Sequence, residues 1–208
     1  MLNSVSDPSI TPADGVVRRR LSAVERRRQL ISIGLAQVVE TPIQDLSMDE
    51  VAAEAGISRS LLFHYFPTKT EFYVACIGAA GRRILRTTAP DPELPGEAQV
   101  RQMLQALVEQ IARRRSFWLA LVHGHGVTDP RVSEVVSSVL AVSTDRVVEA
   151  LGLEASQRPV VHAWWAYVED RALTWSLPRD PRVSVAELVE ECEAALTALL
   201  EVSRRRER

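Results

Sequence analysis

Apolar residues recur every three to four positions along most of the chain, with polar residues between them. This is the spacing of an α-helix that buries one face, whereas a half-buried strand alternates at every second position. The sequence contains no strand-like alternation bounded by turns. The pattern therefore predicts an all-α protein of about nine helices.

Breakers and capping residues divide this pattern into individual helices. The run APDPELPG at residues 89–96 cannot continue a helix, because its prolines lack the backbone N–H that a helix interior needs. It is the best candidate for a domain boundary. Before this run we predict helices at residues 22–39, 48–55, 59–65 and from 69 to beyond 84. After it we predict five more: one that carries the apolar stripe 100–111, a short one at 117–126, and three that begin after Asp129, near Pro159 and after Ser184.

The segment at residues 47–72, SMDEVAAEAGISRSLLFHYFPTKTEF, contains two short predicted helices, the turn between them and the start of a third. Ser47 and Thr68 each precede a glutamate by three residues, which is the spacing of a capping box. Gly56 stands where a helix can end in the left-handed conformation, and Ser58 stands where the next helix can be capped. Together these features predict a helix-turn-helix.

The charge of the chain is distributed unevenly. The net charge is -2, so any affinity for nucleic acid must come from a local concentration of basic residues. Arginines occupy positions 18–20 and 26–28, where they either bind phosphates or are simply solvated. Lys69, the only lysine, lies in the first turn of a predicted helix, where a cation opposes the helix dipole unless an anion lies in front of it. A DNA phosphate would be that anion.

The run AGISRSLLFHYFPTKTEF at residues 55–72 resembles the AGxSxxxLYxxFxxKxxL motif of tetracycline-repressor-like (TetR/AcrR) regulators. The resemblance implies an N-terminal helix-turn-helix domain whose third helix enters the major groove, followed by a variable helical domain that binds a ligand. It also implies that Leu62 and Phe66 face inward. Phe63 departs from the motif, since relatives usually have a tyrosine there whose hydroxyl contacts the DNA backbone, and that contact should be missing.

By this resemblance the predicted DNA contacts lie on and around the third helix. Arg59, Ser60 and His64 are candidates for base or phosphate contact, while Leu61 either touches a thymine methyl or packs. Tyr65 and Lys69 are the phosphate candidates. Three further candidates are primarily helix caps, whether or not they also touch DNA: Ser47, Ser58 and Thr68.

The resemblance also gives the domain organisation and the assembly. We predict a flexible basic arm at residues 1–20, the helix-turn-helix domain with the start of helix four at 21–88, and an effector-binding and dimerisation domain at 89–208. A short reading helix covers few base pairs, so specificity needs two half-sites and a homodimer. Ala195, Leu196 and Leu199 on the last helix are the predicted interface, the alternative being that they belong only to the intrachain core.

The second domain is rich in apolar and aromatic residues that reading DNA does not require. Those predicted to line an effector cavity are Met103, Leu107, Trp118, Val122, Val139, Trp165 and Glu169. Such a lining favours an apolar or aromatic effector. Glu169 or Asp170 is expected to pair with Arg171 or Arg146, the alternative being a carboxylate that faces a cationic effector.

These observations predict a dimeric repressor that an apolar or aromatic small molecule releases from a palindromic operator on double-stranded DNA. The alternative is a regulator of the same fold that responds to a protein partner or to nothing. A second domain filled by its own side chains would favour the alternative, whereas a cavity that reaches helix four would favour the sensor.

Other classes of protein find little support. A metal hydrolase could use His123, His125 and Asp129, but histidines two residues apart point to different faces of a helix and no H-E-x-x-H spacing accompanies them. No Gly-rich phosphate loop or G-x-S-x-G elbow is present, so we predict no catalytic site, metal or cofactor. Cys76 and Cys192 lie in apolar helical patterns and are expected to be buried thiols. Without a membrane span or signal peptide in the pattern, the protein is expected in the cytoplasm, on the nucleoid when bound to DNA.

Overall fold

The computed structural model describes residues 21–38, 46–123, 129–177 and 183–206. Within these ranges every regular element is helical, which confirms the all-α prediction. The helices are α1 Ala23–Val38, α2 Met48–Glu54, α3 Arg59–Tyr65, α4 Lys69–Thr87, α5 Gly96–Arg113, α6 Arg115–His123, α7 Pro130–Ala150, α8 Arg158–Trp175 and α9 Val185–Arg206, with a 3₁₀ turn at Ala155–Gln157 before α8. The basic arm predicted at residues 1–20 lies outside the described part of the chain.

The predicted caps set the helix boundaries. Before α1, the Ser22 N–H donates to Glu25 Oε2 at 2.8 Å and the Glu25 N–H donates to Ser22 Oγ at 3.2 Å. The same reciprocal pair precedes α9, where Ser184 and Glu187 exchange bonds of 2.7 and 3.2 Å. The bonds from Ser22 also lower the pKa of Glu25, because they favour its ionised form. Each pair satisfies N–H groups that have no partner within the helix.

Two hydrophobic cores organise the helices. The first joins α1, α2, α3 and α4, and its fully buried side chains include Leu30, Val51, Leu62 and Phe72. The second joins α5, α7, α8 and α9 around Trp164, whose indole N–H donates to the Cys192 carbonyl at 2.9 Å. Helix α4 packs most extensively against α1, which belongs to the first core, and against α7, which contributes Val147 to the second. The division of the chain at residues 88 and 89 stays a prediction.

The second core corrects one expectation about α9. Leu196 is only 3% exposed and packs inside its own chain, so it belongs to the intrachain core and not to an outward interface. Leu199 and Val202 are 43% and 51% exposed on the same helix, and Ala195 is half-buried. Periodicity identified α9 as unusually apolar, but only packing shows which of its leucines face outward.

Both thiols lie in the cores, as expected. Cys76 and Cys192 are free and buried. Burial disfavours the thiolate and raises the pKa of Cys76 to about 12 and that of Cys192 to about 11. Within the described ranges, no helix is both long and apolar enough to cross a membrane.

Candidate nucleic-acid interface and adjoining cavity

The turn between α2 and α3 is built around one glycine. Gly56 has a φ of +64°, the left-handed conformation that other residues rarely adopt. Its N–H donates to the Ala53 carbonyl at 3.0 Å, and the Ile57 N–H donates to the Ala52 carbonyl at 3.0 Å. These two bonds close α2 as a Schellman motif. The chain then reaches Ser58, whose Oγ accepts from the Leu61 N–H at 3.2 Å and starts α3.

Helix α3 presents one face to the core and the other to solvent. Leu62 and Phe66 are 0% and 1% exposed, which confirms that they face inward. The Phe66 ring packs edge-on against Phe72, with 4.9 Å between the ring centroids. The outward side chains are the ones predicted to read DNA, namely Arg59, Ser60, Leu61 and His64, and Tyr65 is half-buried.

Arg59 has two partners on this surface. Its Nη1 lies 2.6 Å from Asp49 Oδ2 on α2, and its guanidinium lies over the Phe63 ring at 5.4 Å from the centroid. Both partners were missed as neighbours of Arg59 by sequence reasoning. Asp49 is ten residues away, and the helix-turn-helix geometry alone brings it close. The ring of Phe63, which cannot supply the hydroxyl contact of the usual tyrosine, supports the arginine instead.

The three predicted caps are all formed. Ser47 accepts from the Glu50 N–H at 3.2 Å and Thr68 accepts from the Glu71 N–H at 3.1 Å. Ser58 Oγ also lies 3.0 Å from Ser60 Oγ. Lys69 occupies the first turn of α4, directly after the Thr68 cap, and is partly buried. Contact of these residues with DNA stays a prediction.

Two arginines of the basic cluster at 26–28 support the motif directly. The Arg27 guanidinium lies 4.8 Å from the centroid of the Phe66 ring. Arg26 Nη1 donates to Gln29 Oε1 at 2.6 Å and to the Ala55 carbonyl at the end of α2 at 3.4 Å. These contacts give both residues a structural role, in addition to the two predicted alternatives of binding phosphates or being simply solvated.

A cavity of about 330 Å³ lies among α4, α5, α6, α7 and α8. Five of the predicted lining residues are in its wall: Leu107, Trp118, Val139, Trp165 and Glu169. Met103 is 1% exposed within the second core and does not line the cavity, which corrects the prediction. The side chain of Val122 lies outside the described part of the structure. Helix α4 contributes wall residues that sequence reasoning missed, namely Ile77, Ala80, Gly81 and Ile84.

Comparison with known proteins places this geometry in a family. Residues 30–76, which span α1 through the first part of α4, match the model of bacterial regulatory proteins of the tetR family. A tetR-family transcriptional regulator from Streptomyces coelicolor has the same fold, with a TM-score of 0.78 and 27% identity over 89% of this chain and 85% of that one. The chain belongs to the TetR family.

Two curated relatives agree with this assignment. An uncharacterized HTH-type transcriptional regulator of Mycobacterium tuberculosis is 27% identical over 88% of this chain and 81% of its own length. The HTH-type transcriptional activator FasR of Mycolicibacterium smegmatis is 28% identical over 72% of each chain. This TetR-family protein is therefore a DNA-binding transcriptional regulator with a helix-turn-helix at residues 47–65.

The charged groups near the cavity of this TetR-family regulator differ from expectation. Arg171 binds Glu191 of α9 through two bonds of 2.7 and 2.8 Å, and Arg146 donates to the Leu85 carbonyl at 2.7 Å. Both arginines thus bind elsewhere than to Glu169 or Asp170, which corrects the predicted pairing. The Arg171 guanidinium, with the Tyr167 hydroxyl, lowers the pKa of Glu191. Glu169 is one of the residues in the cavity wall.

Proposed function

We propose that the protein is a homodimeric repressor that binds a near-palindromic operator and is released by an apolar or aromatic small molecule. The observation that carries this proposal is the cavity, because α4 forms one of its walls and also begins at the helix-turn-helix. A ligand in the cavity therefore touches the helix on which the DNA-binding domain is mounted.

The dimer is supported by the dimensions of α3 and the surface of α9. Seven residues of helix extend about 10 Å, which spans only a few base pairs, so specific binding needs two copies. On α9, Leu199 and Val202 expose apolar surface beside Ala198, a side chain small enough for close helix approach. We place the twofold contact on this face of α9 together with the outward face of α8, where Ala163 and Ala166 are exposed.

The wall of the cavity supports an apolar effector. Apart from the two indole groups, Ser143 and Glu169 are the only polar side chains among its described lining residues. A cavity of this composition favours ligands that bury hydrocarbon or aromatic surface. Ser143 and Glu169 are the lining side chains that can hydrogen-bond a polar group of the effector.

Activation in place of repression is the second candidate. The relationship to FasR, which is a transcriptional activator, favours it. Position decides between the two: a repressor binds where it blocks transcription, and an activator binds upstream. A reporter driven by the promoter next to the bound operator should be silenced by a repressor and stimulated by an activator.

The test begins with selection of duplexes from a random library by the purified protein. We expect enrichment of an inverted repeat that two chains bind. Equal affinity for all sequences would contradict both the repressor and the activator proposal. Indole, naphthalene and 1-decanol then serve as effector probes. Calorimetric titration reports binding of the two fluorescent aromatic probes, and intrinsic tryptophan fluorescence reports binding of 1-decanol, since Trp118 and Trp165 line the cavity. A true effector binds the DNA-bound protein less tightly by the same factor by which it weakens DNA binding. A probe that binds both forms equally is an adventitious occupant.

A further inference from the structure

A small notch beside α1 adjoins the cavity. Its volume is about 20 Å³, which is enough for one water molecule or one small polar group. Four of its lining residues also line the cavity, namely Ala80, Ile84, Phe117 and Trp118. The other four are Leu35 of α1, Arg83 of α4, Gln110 of α5 and Arg114, which caps α5. The notch is therefore a cationic space that borders an apolar one.

The two arginines of the notch have no anionic partner. Neither the Arg83 nor the Arg114 guanidinium forms an ion pair or a hydrogen bond within the described ranges. Arg113, by contrast, pairs with Glu109 at 3.2 Å. Burial lowers the pKa of Arg114, and the positive charges of Arg83 and Arg113 lower it further, because each of these effects disfavours the charged form. An anion in the notch would relieve this repulsion.

A buried amide is the third polar group of the notch. Gln110 is 7% exposed, and its Oε1 lies 3.3 Å from Thr87 Oγ1. Its Nε2 has no hydrogen-bond partner among the described residues. Buried polar groups normally have such a partner, so this donor stays available to an acceptor in the notch.

Charges of opposite sign lie at different places around the two spaces. The described residues that line the notch include no acidic side chain. Glu169, the carboxylate of the cavity wall, lies on α8, which contributes none of the described residues that line the notch. An acidic group of a ligand is therefore attracted to the notch, whereas its apolar remainder gains by burial in the cavity.

We propose that the effector is an apolar monocarboxylate whose hydrocarbon or aromatic body fills the cavity and whose carboxylate binds in the notch between Arg83 and Arg114. This inference rests on the proposed function, in which the cavity binds the effector, and it names the chemical class of that effector. A carboxylate is planar and its two oxygens match the paired N–H groups of a guanidinium. Its small size also suits the notch better than a phosphate does.

The experiment compares ligands that differ only in the acidic group. Decanoate and 1-decanol have the same number of carbon atoms, and 2-naphthoate and naphthalene form the same kind of pair with an aromatic body. Calorimetric titration of the full chain at neutral pH measures each affinity. Because hydrogen bonds to charged groups are the stronger ones, we expect at least one carboxylate to bind about tenfold more tightly than its neutral counterpart. If neither carboxylate does so, the inference is overturned. Decyl phosphate should bind less tightly than decanoate, and tighter binding would contradict the carboxylate head.

Variants of the arginines test where the carboxylate binds. Arg83→Met and Arg114→Met each remove a guanidinium while keeping an apolar stem of similar length. Either change should reduce the preference for decanoate over 1-decanol to about twofold or less. Arg82→Met is the matched control, since it removes the same charge from an exposed neighbour that does not line the notch, and it should keep the preference. A preference that survives both Arg83→Met and Arg114→Met would overturn the assignment to the notch.

Two further variants complete the test of this site. Arg114→Lys keeps the charge and loses the paired donors, so the preference should fall between those of the native protein and Arg114→Met. Val139→Trp fills the cavity and should abolish decanoate binding, because the body of the ligand lies there. Decanoate binding that survives Val139→Trp would mean that the surface arginines bind it without the cavity, which contradicts the inference. Thermal unfolding verifies that each variant is folded, and Arg83→Met, at an exposed position, carries the expectation if Arg114→Met does not fold.

The outcomes separate this inference from the proposed function. If the native protein selects no inverted repeat, or if none of the neutral and acidic probes binds, the proposed function fails. If the neutral probes bind the cavity and weaken DNA binding while neither carboxylate binds more tightly, the inference alone is overturned.

Discussion

At the scale of single residues, the outward face of α3 is organised by weak contacts. The ion pair between Arg59 and Asp49 is exposed, with 61% and 63% of the two side chains accessible, so it contributes at most about 1 kcal/mol. The cation–π contact with Phe63 adds a similar amount. Neither decides the stability of the fold. Both contacts restrict where the guanidinium lies, and in the predicted complex with DNA this restriction would reduce the entropy that binding must remove.

Replacement of Arg59 by alanine should change which bases are preferred. An arginine that bonds a guanine edge contributes about 1–3 kcal/mol to discrimination at that position. We therefore expect Arg59→Ala to relax the preference at one base pair of each half-site, measured by repeating the duplex selection. Asp49→Asn is the matched control, since it removes the partner and leaves the arginine, and it should keep the preference. An Arg59→Ala variant that selects the native sequence would assign the reading to other residues.

Lys69→Ala should weaken binding to every sequence alike. A lysine that neutralises one phosphate releases about one counterion, so the dependence of affinity on salt should become shallower by about one unit. Binding titrations on the selected duplex and on a scrambled one, each at several salt concentrations, measure both effects. Arg205→Ala, which removes a cation that is 80% exposed near the end of α9, should leave the salt slope unchanged. An unchanged slope for Lys69→Ala would show that this residue contacts no phosphate.

At the scale of elements, each helix is specified by its own ends and placed by its neighbours. The paired bonds of Ser22 with Glu25 and of Ser184 with Glu187 determine where α1 and α9 begin. Such a cap does not determine which other helices the capped helix packs against. Helix α9 buries one apolar face against α5 and α8 and leaves Leu199 and Val202 exposed. The apolar surface of α9 is therefore broader than its packing against α5 and α8 covers.

Leu199→Glu together with Val202→Glu should convert the protein into a folded monomer. Both side chains are exposed in the single chain, so the charges harm only an interface that excludes water. Sedimentation velocity and thermal unfolding report assembly and folding separately. Leu196→Glu is the contrasting variant, because it puts a charge into the intrachain core and should lower the melting temperature itself. An intact dimer after the double change would move the interface away from this face of α9.

At the scale of the whole molecule, a cavity lies between the two cores, and residues of both line it. Residues of α4 pack in the first core near its start and line the cavity with α7 further along. An apolar cavity lowers stability because its lining residues lose packing contacts. A ligand that fills it therefore gains the contacts that the protein alone does not make. In the proposed function, this arrangement joins ligand sensing and DNA binding without a separate connecting element.

Filling the cavity by mutation should reproduce or block the effect of a ligand. Val139→Trp places an indole in the cavity wall, whereas Val142→Trp places one on the 37% exposed surface of the same helix. We expect Val139→Trp to abolish binding of the apolar probes. The DNA affinity of the variant should either be lowered already, as a bound ligand would lower it, or no longer respond to the probes. Val142→Trp should respond like the native protein. Probe binding that survives Val139→Trp with unchanged affinity would locate the ligand site elsewhere.

The sequence by itself determined the elements and the motif. Hydrophobic periodicity, Gly56 and the caps predicted the helices, and the burial of Leu62 and Phe66 followed from the resemblance of residues 55–72. These features are local, because a cap or a helical face depends on residues within a turn or two. They can therefore be predicted from the sequence alone.

Only the tertiary structure decided which apolar face meets which neighbour. Met103 and Leu196 fit the same helical stripes as true wall and surface residues, yet both are buried in the second core. Arg146 reaches a carbonyl 61 residues away, and Arg171 reaches a carboxylate 20 residues away on α9, where sequence reasoning expected nearer partners. Periodicity defines a face of each helix but carries no information about the helix that covers it. The cavity and the bond from Arg146 to the end of α4 arise from that packing, so they became visible only in three dimensions.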